Sequence, residues 1–231
     1  DCWRDLFISN GIVRRPNELE YINFITNPEL EGGYQNKPQM QNLKLAEKMP
    51  LGDVPNFIFK NKGDLTFQDV SLDWGFTEKS NSNGAIYADL DNDGDLDLVV
   101  NNINEQAGIY QNRLGQLPNN IINNNYLKIK LEGQGSNKFG IGARIEIYAK
   151  DQIQIQENYT SRGFQSSTGT ELHFGLGDTK TLDSLKIIWP LGKSETLRQV
   201  NVNATIVLKE SDASTISKPN SIPKIPFGSA L

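Results

Sequence analysis

The run DLDNDGDLD (89–97) constrains this chain most, because it puts aspartates at positions 1, 3, 5, 7 and 9 of a nine-residue stretch. Five carboxylates so close repel one another unless a cation neutralises them or water screens them. A bare solvated turn is the alternative to a metal loop. Oxygen donors at this density, with neither His nor Cys among them, suit a hard cation and favour Ca²⁺ over zinc. Asp89, Asp91 and Asp93 alternate, and Gly94 supplies the sharp turn where φ turns positive. The carbonyl of Asp95 then faces the ion, and Asp97 closes the cage. An EF-hand would need a bidentate Glu at position 12 and flanking helices. Position 12 is Val100, and LDLVVNN (96–102) reads as a strand. The loop joins two β-strands.

Composition sharpens this reading. The 231 residues carry 28 acids and 23 bases, a net charge of −5. Five of those acids sit in the loop, so outside it the two signs balance at 23 each. With no Lys/Arg cluster, the chain is not expected to bind nucleic acid or anionic lipid. No apolar run reaches the roughly 18 residues of a transmembrane helix. A single Cys and a single His exclude a disulfide framework, a Cys/His zinc site and a His-dependent triad within the chain. Cys2 has no His or cation nearby in sequence to activate it. His173 alternates with Leu172 and Phe174 as a strand residue. The glycines of FGIGARIEI (139–147) fall short of a phosphate-binding GxGxxG, and no helix follows them. Asp178 and Asp183 suit turns and caps. Trp74, Tyr87, Tyr110 and Trp189 would stack on sugars where exposed and otherwise pack in a core. No acid/base constellation stands apart from the metal loop, so the expectation is a non-enzyme.

The chain also repeats itself. DCWRDLFISN (1–10) aligns with DGDLDLVVNN (93–102), and FIFKNKG (57–63) with GIYQNRLG (108–115). Each unit reads as an acidic turn, a strand, a connection and a second strand ending in aromatic-x-Asn. In the second unit the connection is a hairpin around INEQ (103–106), whereas in the first it runs over residues 11–56. Asp1, Trp3 and Asp5 take positions 5, 7 and 9 of the first loop. Its positions 1 and 3 precede the chain and Cys2 stands where Gly is wanted, so this incomplete loop is not expected to hold metal well. Within the long connection, at about 16–50, Leu19, Ile22 and Ile25 follow Pro16 and Asn17 with helical spacing. Pro38 precedes a second such group at Met40, Leu43 and Met49.

After the Asn-rich PNNIINNN (118–125) the pattern becomes strand alternation. YLKIKLE (126–132) sets Leu127, Ile129 and Leu131 on one face and Lys128, Lys130 and Glu132 on the other. ARIEIYA (143–149), QIQIQ (152–156), LKIIW (185–189) and ATIVL (204–208) follow, with turns at Lys150-Asp151 and Leu191-Gly192. The expectation is an all-β chain whose second part is an antiparallel β-sandwich over 125–210. Residues 1–117 form the repeat region, and the Ser/Pro-rich 211–231 reads as a linker or tail.

These residues resemble a known family. SNGAIYADLDNDGDLDLVVNN, preceded by NFIFKNKGDLTFQDVS and followed by GIYQNR, resembles an FG-GAP/VCBS repeat of the integrin-like β-propeller type. YLKIKLEGQGSNKFGIGARIEIYA through ELHFGLGDTKTLDSLKIIWPLGKSETL resembles the ASPIC/UnbV domain, which follows such repeats in cartilage acidic protein 1-like proteins and many bacterial surface proteins. The resemblance covers roughly 1–10 and 56–210. It implies export to the cell surface or medium, Ca²⁺ in the propeller loops and a binding or adhesion role. Its metal pattern carries over to Asp89, Asp91, Asp93, Asp95 (by its carbonyl) and Asp97, and only partly to Asp1, Trp3 and Asp5. A propeller needs about four to eight blades, so residues 1–117 imply a partial propeller. The remaining blades are then expected as partners within a longer protein, together with an extracellular protein or glycan ligand. The alternatives are part of a secreted polysaccharide-active enzyme whose catalytic residues lie in other blades, or a scaffold domain.

Overall fold

The computed structural model describes residues 2–15, 17–26, 47–52, 54–113, 124–150 and 152–216. Asp1 and the second helical group at Met40 and Leu43 lie outside the described residues.

Short strands with turn residues between them build the first half. They are β1 (Leu6–Ile8), β2 (Val54–Pro55), β3 (Phe57–Asn61), β4 (Phe67–Asp69), β5 (Lys79–Ser80), β6 (Ser82–Ala88), β7 (Asp97–Asn102) and β8 (Gly108–Tyr110). Two blade-like antiparallel sheets result, ordered β1-β3-β4 and β6-β7-β8, with β2 and β5 paired separately. The repeat inferred from sequence is a structural one. Leu6 pairs with Phe59 in the first sheet as Leu98 pairs with Tyr110 in the second. Each unit is closed by the same bond: Asn61 N–H donates to Asp5 Oδ1 at 2.8 Å, and Asn112 N–H to Asp97 Oδ1 at 2.8 Å.

The long connection of the first unit is closed at its base by its own pairing. Arg14 bridges Leu51, Arg15 N–H reaches Pro50 O at 2.8 Å, and Gly52 N–H reaches Val13 O at 2.8 Å. A chain closed in this way leaves the flanking strands in register whatever lies between. Inside it, helix α1 (Leu19–Ile25) forms where the spacing places it, but it buries Tyr21 (7% exposed) and leaves Leu19 71% exposed. The two repeats meet in a buried polar network. Asn10 Nδ2 donates to Gly52 O, Val54 O and Ser80 O, while Asn56 links Asn10 to Ser82, which in turn donates to Asn102.

The second half is the β-sandwich. Its strands are β9 (Asn125–Glu132), β10 (Arg144–Ala149), β11 (Gln152–Glu157), β12 (Leu172–Gly177), β13 (Thr181–Ile188), β14 (Lys193–Asn201), β15 (Ala204–Lys209) and β16 (Thr215–Ile216). They form a sheet ordered β11-β10-β13-β14-β16 and a smaller one ordered β12-β9-β15. Both contribute to one core, where Leu127, Ile129, Ile145, Phe174, Leu185 and Trp189 are at most 1% exposed. Burying such a side chain contributes about 1.5–3 kcal/mol. Gly192, with φ +86, allows the tight β13–β14 turn, and Lys150, with φ +52, the β10–β11 turn.

Three features depart from expectation. Strand β15 runs parallel to β9, so the smaller sheet is mixed and not purely antiparallel. Strand β11 is inverted: Ile153 and Ile155 face outward, 60% and 44% exposed. Gln154 and Gln156 turn inward instead, and donate to the β12 carbonyls of Gly175 and His173 at 2.8 and 2.7 Å. Strand β12 is an edge, so its free carbonyls need donors, and the side-chain amides supply them. Finally, the expected tail begins later than residue 211. Ala213 is buried in the core, and Thr215 and Ile216 pair with Ser194 and Lys193, so the sheet continues to residue 216.

Candidate metal centre

The acidic run forms the turn between β6 and β7, wound by its own side chains. Gly94 N–H donates to Asp89 Oδ2 at 3.0 Å, Asp95 N–H to Asp93 Oδ1 at 3.1 Å, and Asp93 N–H to Asp91 Oδ1 at 3.4 Å. Asn92 and Gly94 take positive φ, 61° and 95°. Oxygens of Asp89, Asp91 and Asp93 come within 4.8 Å of one another. Asp91 and Asp93 are exposed, and Gln111 Nε2 steadies Asp91 Oδ2 at 2.8 Å.

The other two loop aspartates stand outside that group. Asp97 is 3% exposed, with Oδ2 accepting Leu90 N–H at 3.0 Å and Oδ1 accepting Asn112 N–H. It bolts the loop to the following strand, the job Asp5 does in the first repeat. Asp95 is half-buried and enters the loop through its backbone N–H. Trp3 is 50% exposed and lies against Gly63. Among the described residues, Trp3 and Asp5 are not gathered with other metal-ligating groups, and Asp1 lies outside those residues.

The loop is not surrounded by water alone. Its buried side rests on the outer face of β9 and β12, where Lys128 and His173 are direct cross-strand partners. Lys128 Nζ forms an ion pair with Asp89 Oδ2, their side chains 7% and 4% exposed. Burial pushes the Asp89 carboxyl up. The Lys128 hydrogen bond and charge, with the Gly94 N–H, outweigh burial and hold it below the usual carboxylate range. Burial likewise pulls Lys128 down, and Asp89 more than restores it. The His173 Nε2–H donates to Gly94 O at 2.9 Å, and its ring stacks on Tyr126, with centroids 5.8 Å apart. Burial holds the His173 pKa below its ordinary value, against the opposing pull of the Gly94 carbonyl. A Cβ on Gly94 would lie 2.1 Å from Tyr126 Cε1, so glycine serves here for closeness as well as for φ.

One atom bears directly on what the loop can hold. Asp89 Oδ1 is buried and has no hydrogen-bond partner, whereas Oδ2 is engaged by Lys128 and Gly94. A carboxylate oxygen withdrawn from water needs a donor or a cation. Together with the Asp91 and Asp93 carboxylates gathered within 4.8 Å of this residue's, the donor set fits a hard oxygen-seeking cation such as Ca²⁺.

The remaining candidates take structural places. Trp189 is 1% exposed in the core, and Tyr110 packs on Phe76 with ring centroids 4.6 Å apart. Trp74 and Tyr87 stay open, at 46% and 44% exposed. Asp183 caps the Lys150 turn at 2.8 Å. Cys2 sits beside Gly177, and burial pushes its thiol up, away from reactivity. Sequence reasoning did not single out Lys128 as a site residue, and it gave His173 only a strand role. Their one signal was the alternation that put Lys128 opposite the apolar face.

Comparison with known proteins agrees with this architecture. Residues 50–100 match the FG-GAP-like repeat family, and residues 133–215 match the family described as ASPIC and UnbV. Human (Homo sapiens) cartilage acidic protein 1 is 23% identical over 171 residues, covering 70% of this chain and 24% of that protein. The chain thus spans about a quarter of the length of this curated relative. Among the described residues no helix is long and apolar enough to cross a membrane. The aspartate loop thus lies in the segment similar to an FG-GAP-like repeat, and the segment similar to the ASPIC and UnbV family follows it.

Proposed function

We propose that the loop of Asp89, Asp91 and Asp93 holds a structural Ca²⁺, and that the chain is part of an extracellular or cell-surface module that binds a protein or glycan ligand without catalysing a reaction. The observation that carries the metal reading is a buried, unpartnered Oδ1 on Asp89, whose carboxylate is gathered with those of Asp91 and Asp93. Asp95, by its carbonyl, and Asp97, through the bolt it makes, complete the loop in this reading. Calcium here offsets the mutual repulsion of the aspartates and pins the β6–β7 turn. Loops of this kind in extracellular modules bind at about 10⁻⁴–10⁻³ M, which suits the calcium of an extracellular medium. The repeat and domain matches support the extracellular assignment. For the ligand surface, the open rings of Trp74 and Tyr87 are the aromatic faces that sugars stack on.

Calorimetric titration of Ca²⁺ into chelator-stripped protein tests the metal. The wild type is expected to bind one equivalent in the submillimolar range, and Asp93→Ala to lose binding and the accompanying rise in Tm. Equal responses in the two proteins would refute the site. Glycan- and protein-array binding that needs Ca²⁺ and yields no product would support the module; turnover of a bound polysaccharide would replace it with an enzyme.

A further inference from the structure

The aspartate loop already has one cation at its edge, and it comes from the other domain. Lys128 lies on the sandwich face with its side chain 7% exposed, aimed out of its own sheet and into the loop of the neighbouring blade-like sheet. Its stem passes Tyr126, with Nζ 5.6 Å from the ring centroid, and its ammonium reaches Asp89 Oδ2. The other oxygen of the same carboxylate is the buried, unpartnered Oδ1. One carboxylate of the aspartate group therefore meets a lysine with one oxygen and leaves the other without a hydrogen-bond partner.

We propose that Lys128 is a counter-cation built into the sandwich, which competes with Ca²⁺ for Asp89: it keeps the loop folded and docked without metal, and it lowers the loop's affinity for metal. This rests on the metal reading above. Two cations drawn to one carboxylate repel each other, and the repulsion is weakly screened where both are out of water. Without either cation, Asp89 would be a buried charge met only by backbone N–H groups, which is unfavourable. With Lys128 present, that state never arises. The same residue ties loop and sandwich together, alongside the His173–Gly94 bond and the Tyr126–Gly94 contact. Docking of the two domains and metal binding thus draw on the same carboxylate.

Lys130 provides the internal control. It lies two residues along the same strand and carries the same charge, but its side chain is 59% exposed and pairs with Glu171 at 3.3 Å. The experiment titrates Ca²⁺ alone into the full chain and records melting with chelator and with saturating Ca²⁺. It compares the wild type with Lys128→Met, Lys128→Gln and Lys130→Gln. The Gln variant keeps a hydrogen-bond donor for Asp89 in case Met does not fold. Both Lys128 variants are expected to bind Ca²⁺ about ten-fold more tightly. Their metal-free Tm falls, and their Ca²⁺-induced rise in Tm exceeds that of the wild type. A Lys128 variant that folds only with Ca²⁺ present also supports the competition. Lys130→Gln is expected to match the wild type. Wild-type binding with unchanged or weaker affinity in both Lys128 variants overturns the competition and leaves the metal site standing. Absence of Ca²⁺ binding in all four proteins overturns the metal reading and this inference with it.

Discussion

Gly94 is where the loop touches the sandwich, so Gly94→Ala perturbs the turn and the contact together. At φ +95 an L-residue is strained, which costs roughly 1–2 kcal/mol. The new Cβ would also stand 2.1 Å from Tyr126 Cε1 and 2.4 Å from Cδ1. Tyr126 cannot simply swing aside, because it stacks on His173 and flanks Lys128. Forcing a methyl into such a contact costs about 1–3 kcal/mol. The substitution should therefore destabilise by about 2–5 kcal/mol in all. In a Tyr126→Ala background only the backbone part remains, so the two changes should couple by about 1–3 kcal/mol. Urea unfolding of the four proteins of this cycle, in chelator, measures both quantities. A loss below about 1 kcal/mol for Gly94→Ala, or strictly additive losses, would refute the contact as the reason for glycine here.

Two further outcomes follow from the same geometry. His173 is the single histidine, so its NMR titration is unambiguous, and its pKa should lie below 6.5. Folding then favours the neutral ring: the contribution to stability is complete above the unfolded value of about 6.5 and is lost as pH falls through the lower folded pKa. His173→Gln should flatten that part of the pH profile, and a titration at or above 6.5 would contradict it. Asn10→Ala should cost about 2–4 kcal/mol in urea unfolding, because it strips donors from the Gly52, Val54 and Ser80 carbonyls at once. Its Ca²⁺ affinity should stay at the wild-type value; a change below about 0.5 kcal/mol would put the network outside the fold's main supports.

What was legible in the sequence is what local rules determine. The aspartate loop is written by spacing alone, because Asx-type bonds and a glycine turn act over five or six residues. The repeat was legible because Asp5 and Asp97 each need the N–H of an Asn two residues past an aromatic. Alternation located β9, β10 and β15, since one face of each meets a shared core. What escaped depends on partners distant in the chain. Alternation says that Lys128 points away from Leu127 and Ile129, but not that a loop from another sheet covers it. The inversion of β11 was hidden for the same reason, since only the edge carbonyls of β12 make Gln154 and Gln156 the inward residues. Spacing also does not separate a ligand from a bolt, and Asp97 fits the loop pattern while serving backbone N–H groups. The parallel pairing of β15 with β9 is a choice of sheet edge, which no local pattern records.

In the arrangement proposed above, Asp89, Asp91 and Asp93 hold a calcium ion while Lys128 holds Asp89 through Oδ2. Anomalous-difference density from crystals grown in Ca²⁺ would locate the ion itself. A single strong peak is expected against Asp89 Oδ1 and the Asp91 and Asp93 carboxylates, with Lys128 still on Oδ2. A loop without density at saturating Ca²⁺, or an ion bound elsewhere while these three carboxylates remain free, would contradict it.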